Sequence, residues 1–338
     1  MPLRAGLDLP LWPEDAPLPQ DRHVPAQVLN ALNPPNRSVA MTRPVLTTYL
    51  LPDTQTPRPM VIVLPGGGYV RVAEKEGRPV VGFLNAQGYH AASLDYRTLR
   101  MHPAPLLDAR RAIQMVRARA AAWRVSHVAV LGFSAGGHLA GHVALAWDAP
   151  VGLEVDVAVG DRVAQHDARP DAAALAYPVV SASLEPAGTV GRGIFSSCST
   201  FACNGLRRKG EPRPLRHHGS FAVLLGAMDP PHDAEVSLEL LAASRSARAA
   251  PRPPPLFVWT TTGDEKVPSA NAEVLASAVR ASSNLAPIEL HVFEDLQLRH
   301  GTILGRGVAA NWTGLWLGWM TRVLPGGLRP SAWLPPKK

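Results

Sequence analysis

HVAVLGFSAGGHLAG, residues 127–141, is the stretch of sequence that decides the fold. Residues 127–131 form a short apolar run, which is typical of a buried strand in a parallel sheet, and a helix is predicted from about 135 to 147. Between them lies Gly132-Phe133-Ser134-Ala135-Gly136. The glycines permit a tight strand-to-helix turn that lifts the Ser134 hydroxyl clear of the sheet. The pattern therefore predicts a nucleophilic serine; the alternative is a glycine-rich turn with a solvent-exposed serine.

A second glycine run, Pro65-Gly66-Gly67-Gly68-Tyr69, directly follows the apolar run at 60–64. Residues without side chains let the backbone N–H groups approach a substrate carbonyl closely. We expect the amides of Gly67 or Gly68, together with that of Ala135, to bind an oxyanion. A phosphate-binding loop is the alternative, but neither the Gly-x-x-x-x-Gly-Lys-Ser/Thr pattern nor the dinucleotide-binding spacing is present.

A nucleophilic serine needs a base, and the base needs a carboxylate that orients it. In a strand-turn-helix protein of this kind the acid and then the histidine follow the serine along the chain, each after a strand. Asp264 and His300 stand in that order and context, so we expect them to act with Ser134. Glu265 is the adjacent alternative for the acid.

The rest of the chain alternates short apolar runs with amphipathic helical segments. The predicted strands are 45–51, 60–64, 89–96, 127–131, 172–177, 256–261 and 288–293, and the predicted helices are 75–87, 105–123, 135–147, 233–245, 268–281 and 309–323. This alternation predicts an α/β fold of the α/β-hydrolase type, a mostly parallel central sheet with helices on both faces. We expect a Pro-rich arm at 1–44, one domain at 45–325 with a loop- or lid-like insertion at about 183–220, and a tail at 326–338.

The composition is that of an ordinary globular protein, with 46% hydrophobic and 18% charged residues. The formal net charge is +7, but the basic residues are scattered, which favours a solvated surface over nucleic-acid binding. No apolar run is long enough for a membrane span and no signal-peptide core is present, so we expect no membrane partner and, by default, a cytoplasmic location; a mature secreted form would look the same. Cys198 and Cys203 fit either one local bridge or two free thiols.

Several further residues are weaker candidates. Tyr69, beside the glycines, and His217 and His218, in the insertion, are candidates for substrate contact, although the two histidines fit solvent exposure equally. His138 and His142 have a spacing that can bind zinc, but no third ligand is evident, so we expect no metal. Three tryptophans at helical spacing are more typical of core packing than of a sugar platform: Trp312, Trp316 and Trp319.

With these residues in place, the chain resembles the acetyl xylan esterase-like, or BD-FAE-like, carbohydrate esterases of the α/β-hydrolase superfamily. The resemblance covers nearly the whole chain and rests on LWPE at 11–14, PGGGY at 65–69, EG at 76–77, HPAPLLDARRAI at 102–113, GFSAGGHLAG at 132–141, ALAYPVVS at 174–181, D-x-x-V-P at 264–268 and HG at 300–301. It implies a triad of Ser134, Asp264 and His300, no cofactor, and acetyl or occasionally aromatic esters of plant-type sugars as substrates.

Two segments depart from the family pattern, namely the longer and more basic stretch at 185–220 and the histidine loop at 293–301, which lacks the usual glycine. Both bear on the choice of substrate rather than on the chemistry. We therefore expect a serine ester hydrolase acting on a small-molecule or oligosaccharide ester. The alternatives are a feruloyl-type esterase, a peptidase or amidase of the prolyl-oligopeptidase type without its propeller, and a non-catalytic binding protein.

Overall fold

A central sheet of eight strands organises the part of the chain that the structure, a computed structural model, describes. The described residues are 6–15, 17–34, 40–52, 55–150, 161–182, 217–227, 234–246, 251–282, 285–305 and 307–324. The strand order is β1-β2-β4-β3-β5-β6-β7-β8. The first two strands in this order pair antiparallel and the other six run parallel, so the predicted mostly parallel sheet is confirmed.

The elements lie close to their predicted positions. The strands are β1 Leu7–Pro10, β2 Val45–Tyr49, β3 Arg58–Leu64, β4 His90–Asp95, β5 Val125–Phe133, β6 Ala172–Ala176, β7 Leu256–Thr261 and β8 Ile288–Phe293. The helices are α1 Ala26–Leu32, α2 Arg78–Ala86, α3 Ala104–Ala118, α4 Ala120–Trp123, α5 Ala135–Ala146, α6 His218–Leu225, α7 Leu238–Ser246, α8 Ala270–Arg280 and α9 Trp312–Val323, with 3₁₀ turns at Glu74–Glu76 and Gly307–Asn311.

The core has two parts because the central parallel strands are apolar on both faces. In β3, Met60, Ile62 and Leu64 pack into one part, and Val61 and Val63 pack into the other. The first part is closed by residues of α1, α3 and α5 to α8, and the second by residues of α2 and α9. Helices therefore cover both faces, and the loops that follow the strands are free to carry the functional groups.

Three elements were not predicted. Strand β1 and helix α1 lie inside the segment predicted to be an arm, where β1 adds an edge strand by pairing with β2. Helix α6 begins inside the predicted insertion, of which residues 183–216 lie outside the described part, as do Cys198, Cys203 and the predicted tail. The division into arm, domain and tail stays a prediction.

The segment after β1 is tied to α3 by buried polar contacts. The Trp12 indole donates a 2.9 Å hydrogen bond to Asp108, whose carboxylate also forms a fully buried ion pair with Arg97 at 2.8 Å. The guanidinium of Arg111 lies 5.0 Å from the Trp12 ring centroid and donates to the Leu11 carbonyl. Two stretches that are almost 100 residues apart in sequence thus form one contact. Within the described residues, no helix is both long and apolar enough to cross a bilayer.

Candidate active site

Ser134 occupies a strained turn between β5 and α5. Its φ of 55° and ψ of −118° lie outside the regions that L-residues favour. Two glycines make this turn sterically possible. A Cβ on Gly132 would lie 2.0 Å from the Gly136 carbonyl oxygen, and one on Gly136 would lie 2.0 Å from the carbonyl oxygen of Leu64 in β3. Both positions of the Gly-x-Ser-x-Gly pattern must therefore be glycine, because the helix starts in close contact with the neighbouring strand.

A chain of short hydrogen bonds links Ser134 to His300 and Asp264. The Ser134 Oγ lies 2.8 Å from His300 Nε2, and His300 Nδ1 lies 2.6 Å from Asp264 Oδ2. The carboxylate accepts a hydrogen bond from the Nδ1–H group, so Nε2 carries no proton and accepts a hydrogen bond from the serine hydroxyl. An arrangement of this kind can remove the serine proton and hold the resulting imidazolium.

Asp264 is fixed by the loop that follows β7. Its Oδ1 accepts hydrogen bonds from the amides of Lys266 and Val267 at 3.0 and 2.9 Å, and the side chain is almost fully buried. The alternative acid, Glu265, has a side chain that is 43% exposed and pairs with Arg299 at 3.8 Å. The contact with His300 is made by Asp264.

The glycine run after β3 lies against the serine. A Cβ on Gly66 would be 2.9 Å from the Cβ of Ser134, and Gly67 and Gly68 have φ values of 124° and 65°. Within the described part of the chain, the amides of Gly67, Gly68 and Ala135 donate to no acceptor. Three N–H groups without partners beside a serine hydroxyl can stabilise negative charge on an oxygen bound there.

Tyr69 does not face the site, contrary to the prediction that it contacts substrate. Its side chain is 1% exposed, and its hydroxyl lies 2.7 Å from His138 Nδ1. His138 Nε2 donates a hydrogen bond to the Val236 carbonyl at 2.6 Å, so Nδ1 carries no proton and accepts a hydrogen bond from the Tyr69 hydroxyl. Tyr69 is an anchor that holds the end of the glycine loop to α5.

His217 and His218, which were also predicted to contact substrate, lie at the start of α6. His217 caps the helix, with Nδ1 accepting from the Ser220 amide at 3.3 Å, and its contact with substrate stays a prediction. The side chain of His218 lies outside the described part. The predicted core tryptophans are all buried, which removes the sugar-platform alternative: Trp312, Trp316 and Trp319.

Two residues beside the site were not singled out from the sequence. The ring of Tyr177, the residue after β6, packs edge-on against His300 with centroids 5.0 Å apart. Its hydroxyl donates to the buried carboxylate of Glu76 at 3.1 Å, and the other oxygen of that carboxylate accepts the Gly66 amide at 2.8 Å. The signals in the sequence were the Glu76-Gly77 pair and the stretch at 174–181 that contains Tyr177; both carried part of the family resemblance but no role.

A cluster of three histidines, of which His138 and His142 are buried and His102 is partly buried, lies behind the glycine loop. The ring centroids of His102 and His142 are 5.1 Å apart, and those of His138 and His142 are 5.5 Å apart. Burial is the main cause that lowers the pKa of His102 to about 3 and of His138 to about 4, and it holds the pKa of His142 well below its usual value. The described residues contain no group of three side chains arranged to hold a metal ion.

These lowered pKa values predict an acid-sensitive fold. The unfolded histidines take up protons near pH 6.5, whereas the buried ones stay neutral until about pH 4 or below. Between these limits the unfolded state holds more protons, so the free energy of unfolding falls as the pH falls, by about 2 kcal/mol each for His102 and His138 at pH 5. Urea denaturation at pH 7.5 and pH 5.0 measures the loss. His142→Gln should reduce it and His127→Gln, at a half-exposed position, should not; an equal loss in all three proteins would contradict the assignment.

Comparison with known proteins identifies the family to which the chain belongs. The model of the BD-FAE family matches residues 46–170. The crystal structure of an acetyl ester-xyloside bifunctional hydrolase from Caldicellulosiruptor lactoaceticus is 30% identical, with a TM-score of 0.69 over 95% of this chain and 97% of that one.

Two curated relatives are similar over part of their length. Endo-1,4-beta-xylanase B of Butyrivibrio fibrisolvens is 28% identical over 80% of this chain and 36% of its own, and an acetylxylan esterase of Xylanibacter ruminicola is 30% identical over 39% of this chain and 24% of its own. The chain thus spans about a third or less of the length of these relatives. Since the match to the bifunctional hydrolase extends over the full length and agrees with the family model, the chain belongs to the BD-FAE family of α/β-hydrolases.

Proposed function

We propose that this protein is a serine carboxylic-ester hydrolase that works through an acyl-enzyme. The observation that carries the proposal is the unbroken hydrogen-bonded chain from Ser134 through His300 to Asp264. The amides of Gly67, Gly68 and Ala135 lie next to it without acceptors in the described structure, and they supply the second half of the machinery.

In the first half-reaction, His300 Nε2 takes the proton of Ser134 Oγ as the oxygen attacks the ester carbonyl. The carbonyl oxygen becomes negative and accepts hydrogen bonds from the Ala135 amide and from Gly67 or Gly68. Asp264 keeps the imidazole in the tautomer that can accept a proton, and its charge stabilises the imidazolium. His300 then gives the proton to the leaving alcohol, and the acyl group stays on Ser134.

In the second half-reaction, water replaces the alcohol. His300 removes a proton from the water as it attacks the acyl carbon, the same amides hold the oxyanion, and the proton returns to Ser134 Oγ when the carboxylic acid leaves. The proton transfers use Ser134, His300 and Asp264, which already form one hydrogen-bonded chain, and the reaction written in this way requires no metal or cofactor.

The proposed substrates are short acyl esters of carbohydrates, with acetylated xylan or xylo-oligosaccharides as the first candidates. The support comes from the relatives, because one solved structure is described as an acetyl ester-xyloside hydrolase and one curated relative as an acetylxylan esterase. A xylanase that matches over 80% of this chain points to the same polysaccharide.

A substrate series tests this proposal. Hydrolysis of p-nitrophenyl acetate, butyrate and octanoate is measured beside acetate release from acetylated xylo-oligosaccharides. We expect kcat/KM to fall by about one order of magnitude or more from acetate to octanoate, since a pocket shaped for a short acyl group gains little from each added methylene and clashes with long chains.

The same series separates the alternatives. Methyl ferulate reports a feruloyl-type esterase, a peptide p-nitroanilide reports an amidase, and p-nitrophenyl xyloside reports glycoside cleavage of the kind that the bifunctional relative's description includes. Cleavage of synthetic esters without acetate release from the sugar would contradict the proposed carbohydrate substrate but not the proposed mechanism. No turnover of any ester and no covalent labelling by a fluorophosphonate would favour a binding protein.

A further inference from the structure

The buried carboxylate of Glu76 joins the two halves of the site. It ends the 3₁₀ turn before α2, its side chain is 4% exposed, and its two oxygens accept from different elements. Oε2 takes the Gly66 amide at 2.8 Å, and Oε1 takes the Tyr177 hydroxyl at 3.1 Å. Resting on the function proposed above, we infer that Glu76 is a positioning residue that holds the oxyanion loop and the histidine in register.

The first contact fixes the oxyanion loop at its base. The Gly66 amide donates to Glu76 while the Gly66 carbonyl accepts from the Ala73 amide at 3.0 Å, and the Glu76 amide in turn donates to the Ala73 carbonyl at 2.8 Å. Gly66 is thus held at both of its polar groups, next to the Cβ of Ser134 and directly before Gly67 and Gly68, the residues whose amides are proposed to bind the oxyanion. A shift of the loop would move those amides away from the oxygen that they stabilise.

The second contact fixes the surface on which His300 rests. Tyr177 has a φ of 37°, a strained value for a residue with a side chain, and its amide donates to the Trp259 carbonyl at 2.7 Å. The ring lies edge-on to His300, and its hydroxyl donates to Glu76 and accepts a second hydrogen bond from the Ile303 backbone. The bond to Glu76 therefore helps to keep the ring against the imidazole.

A carboxylate suits this position because both of its neighbours are donors. An ionised carboxyl group accepts at both oxygens, so one side chain satisfies a backbone N–H and a phenol. Burying a charge is costly, and in the described part of the chain no Lys or Arg forms an ion pair with Glu76. Glu76 is thus a buried acid that contacts both the glycine loop, through Gly66, and the ring of Tyr177 beside His300.

Removal of the link should act on the reaction step more than on binding. Oxyanion donors and an oriented base stabilise the transition state and contribute little to ground-state affinity. For Glu76→Ala we expect kcat on p-nitrophenyl acetate to fall by about 30- to 100-fold with KM changed by less than about threefold. Glu76→Gln should stay within about tenfold of wild type, because its amide can accept from Gly66 and donate to the Tyr177 oxygen.

A double-variant series tests the link itself. Tyr177→Phe removes only the hydroxyl and should lower kcat by about three- to tenfold in the wild-type background. In the Glu76→Ala background the effect should be smaller, about threefold or less, because only the hydrogen bond with the Ile303 backbone is left to lose. The matched control is Glu74→Gln, an exposed carboxylate in the same 3₁₀ turn, which should leave kcat unchanged. Circular dichroism and thermal unfolding establish the folded fraction of each variant.

Opposite results are equally definite. The inference is overturned if Glu76→Ala is folded and keeps kcat within twofold of wild type, or if its activity falls only in proportion to the folded fraction. If Glu76→Ala does not fold, the inference is tested with Glu76→Gln and Tyr177→Phe instead. Wild-type kcat in both of these variants overturns the positioning role of Glu76. The rate at which a fluorophosphonate labels Ser134 is measured in parallel; a wild-type protein that neither labels nor hydrolyses esters refutes the proposed function, whereas an active wild type with unaffected Glu76 variants refutes only this inference.

Discussion

Ser134→Ala is expected to lower kcat/KM for p-nitrophenyl acetate by about four to six orders of magnitude. In the proposed mechanism this hydroxyl becomes covalently attached to the acyl group, and it lies 2.8 Å from His300 Nε2. What remains in the variant is the stabilisation that the loop and helix amides give to attack by water. The fold should be kept, because alanine removes one oxygen and leaves the Cβ that Gly66 contacts.

Two measurements make the result specific. The variant must lose covalent labelling by a fluorophosphonate, and Ser126→Ala, an exposed serine at the other end of β5, must keep both labelling and wild-type turnover. If Ser134→Ala were folded and retained more than about 1% of the wild-type rate, another nucleophile would have to exist and the mechanism proposed here would be wrong.

The sequence was sufficient to predict what depends on short-range patterns. The turn at Ser134 is predictable because its glycines are required within five residues, where the helix starts against the strand. Asp264 and His300 could be chosen because parallel strands bring their carboxyl ends to one edge of the sheet, so chain order alone selects the loops after β7 and β8. The structure brings all three side chains together there.

Features that depend on a distant partner could not be predicted in this way. Tyr69 follows the glycine loop and looked like a substrate contact, but its hydroxyl is used by His138, 69 residues later. Glu76 gave no local signal for its role, because its partner Tyr177 is 101 residues away. A charged residue in a sequence is ordinarily expected at the surface, and only the fold shows that this one is buried.

Helix α6 escaped prediction for a different physical reason. Its residues 218–225, HGSFAVLL, form an apolar run in which the described side chains from Phe221 to Leu224 are all buried. A helix that is buried on all sides has no polar face, so the periodicity that identifies amphipathic helices is missing. Strand β1 escaped prediction for the opposite reason, because it is only four residues long and mostly exposed, so that pairing with β2 is what defines it.

Asp264→Asn is expected to lower kcat by about three to four orders of magnitude at neutral pH while the fold stays intact. The reason lies in the hydrogen bonds on the other side of the carboxylate. Oδ1 accepts from the amides of Lys266 and Val267, so the asparagine must direct its oxygen there and its NH₂ group towards His300. The NH₂ group then donates to Nδ1, and the ring carries its proton on Nε2, where it can no longer accept one from Ser134.

The control for this variant is the neighbouring Glu265→Gln, which removes a carboxylate at a half-exposed position paired with Arg299 and should leave kcat within about twofold of wild type. KM should change little in either protein, because the tautomer of His300 affects the chemical step and not the binding of the ester. A large loss in Glu265→Gln together with a small one in Asp264→Asn would show that the acid had been assigned to the wrong residue. A large loss in Asp264→Asn alone, with unchanged thermal unfolding, would mean that the buried carboxylate acts by setting the proton on the imidazole.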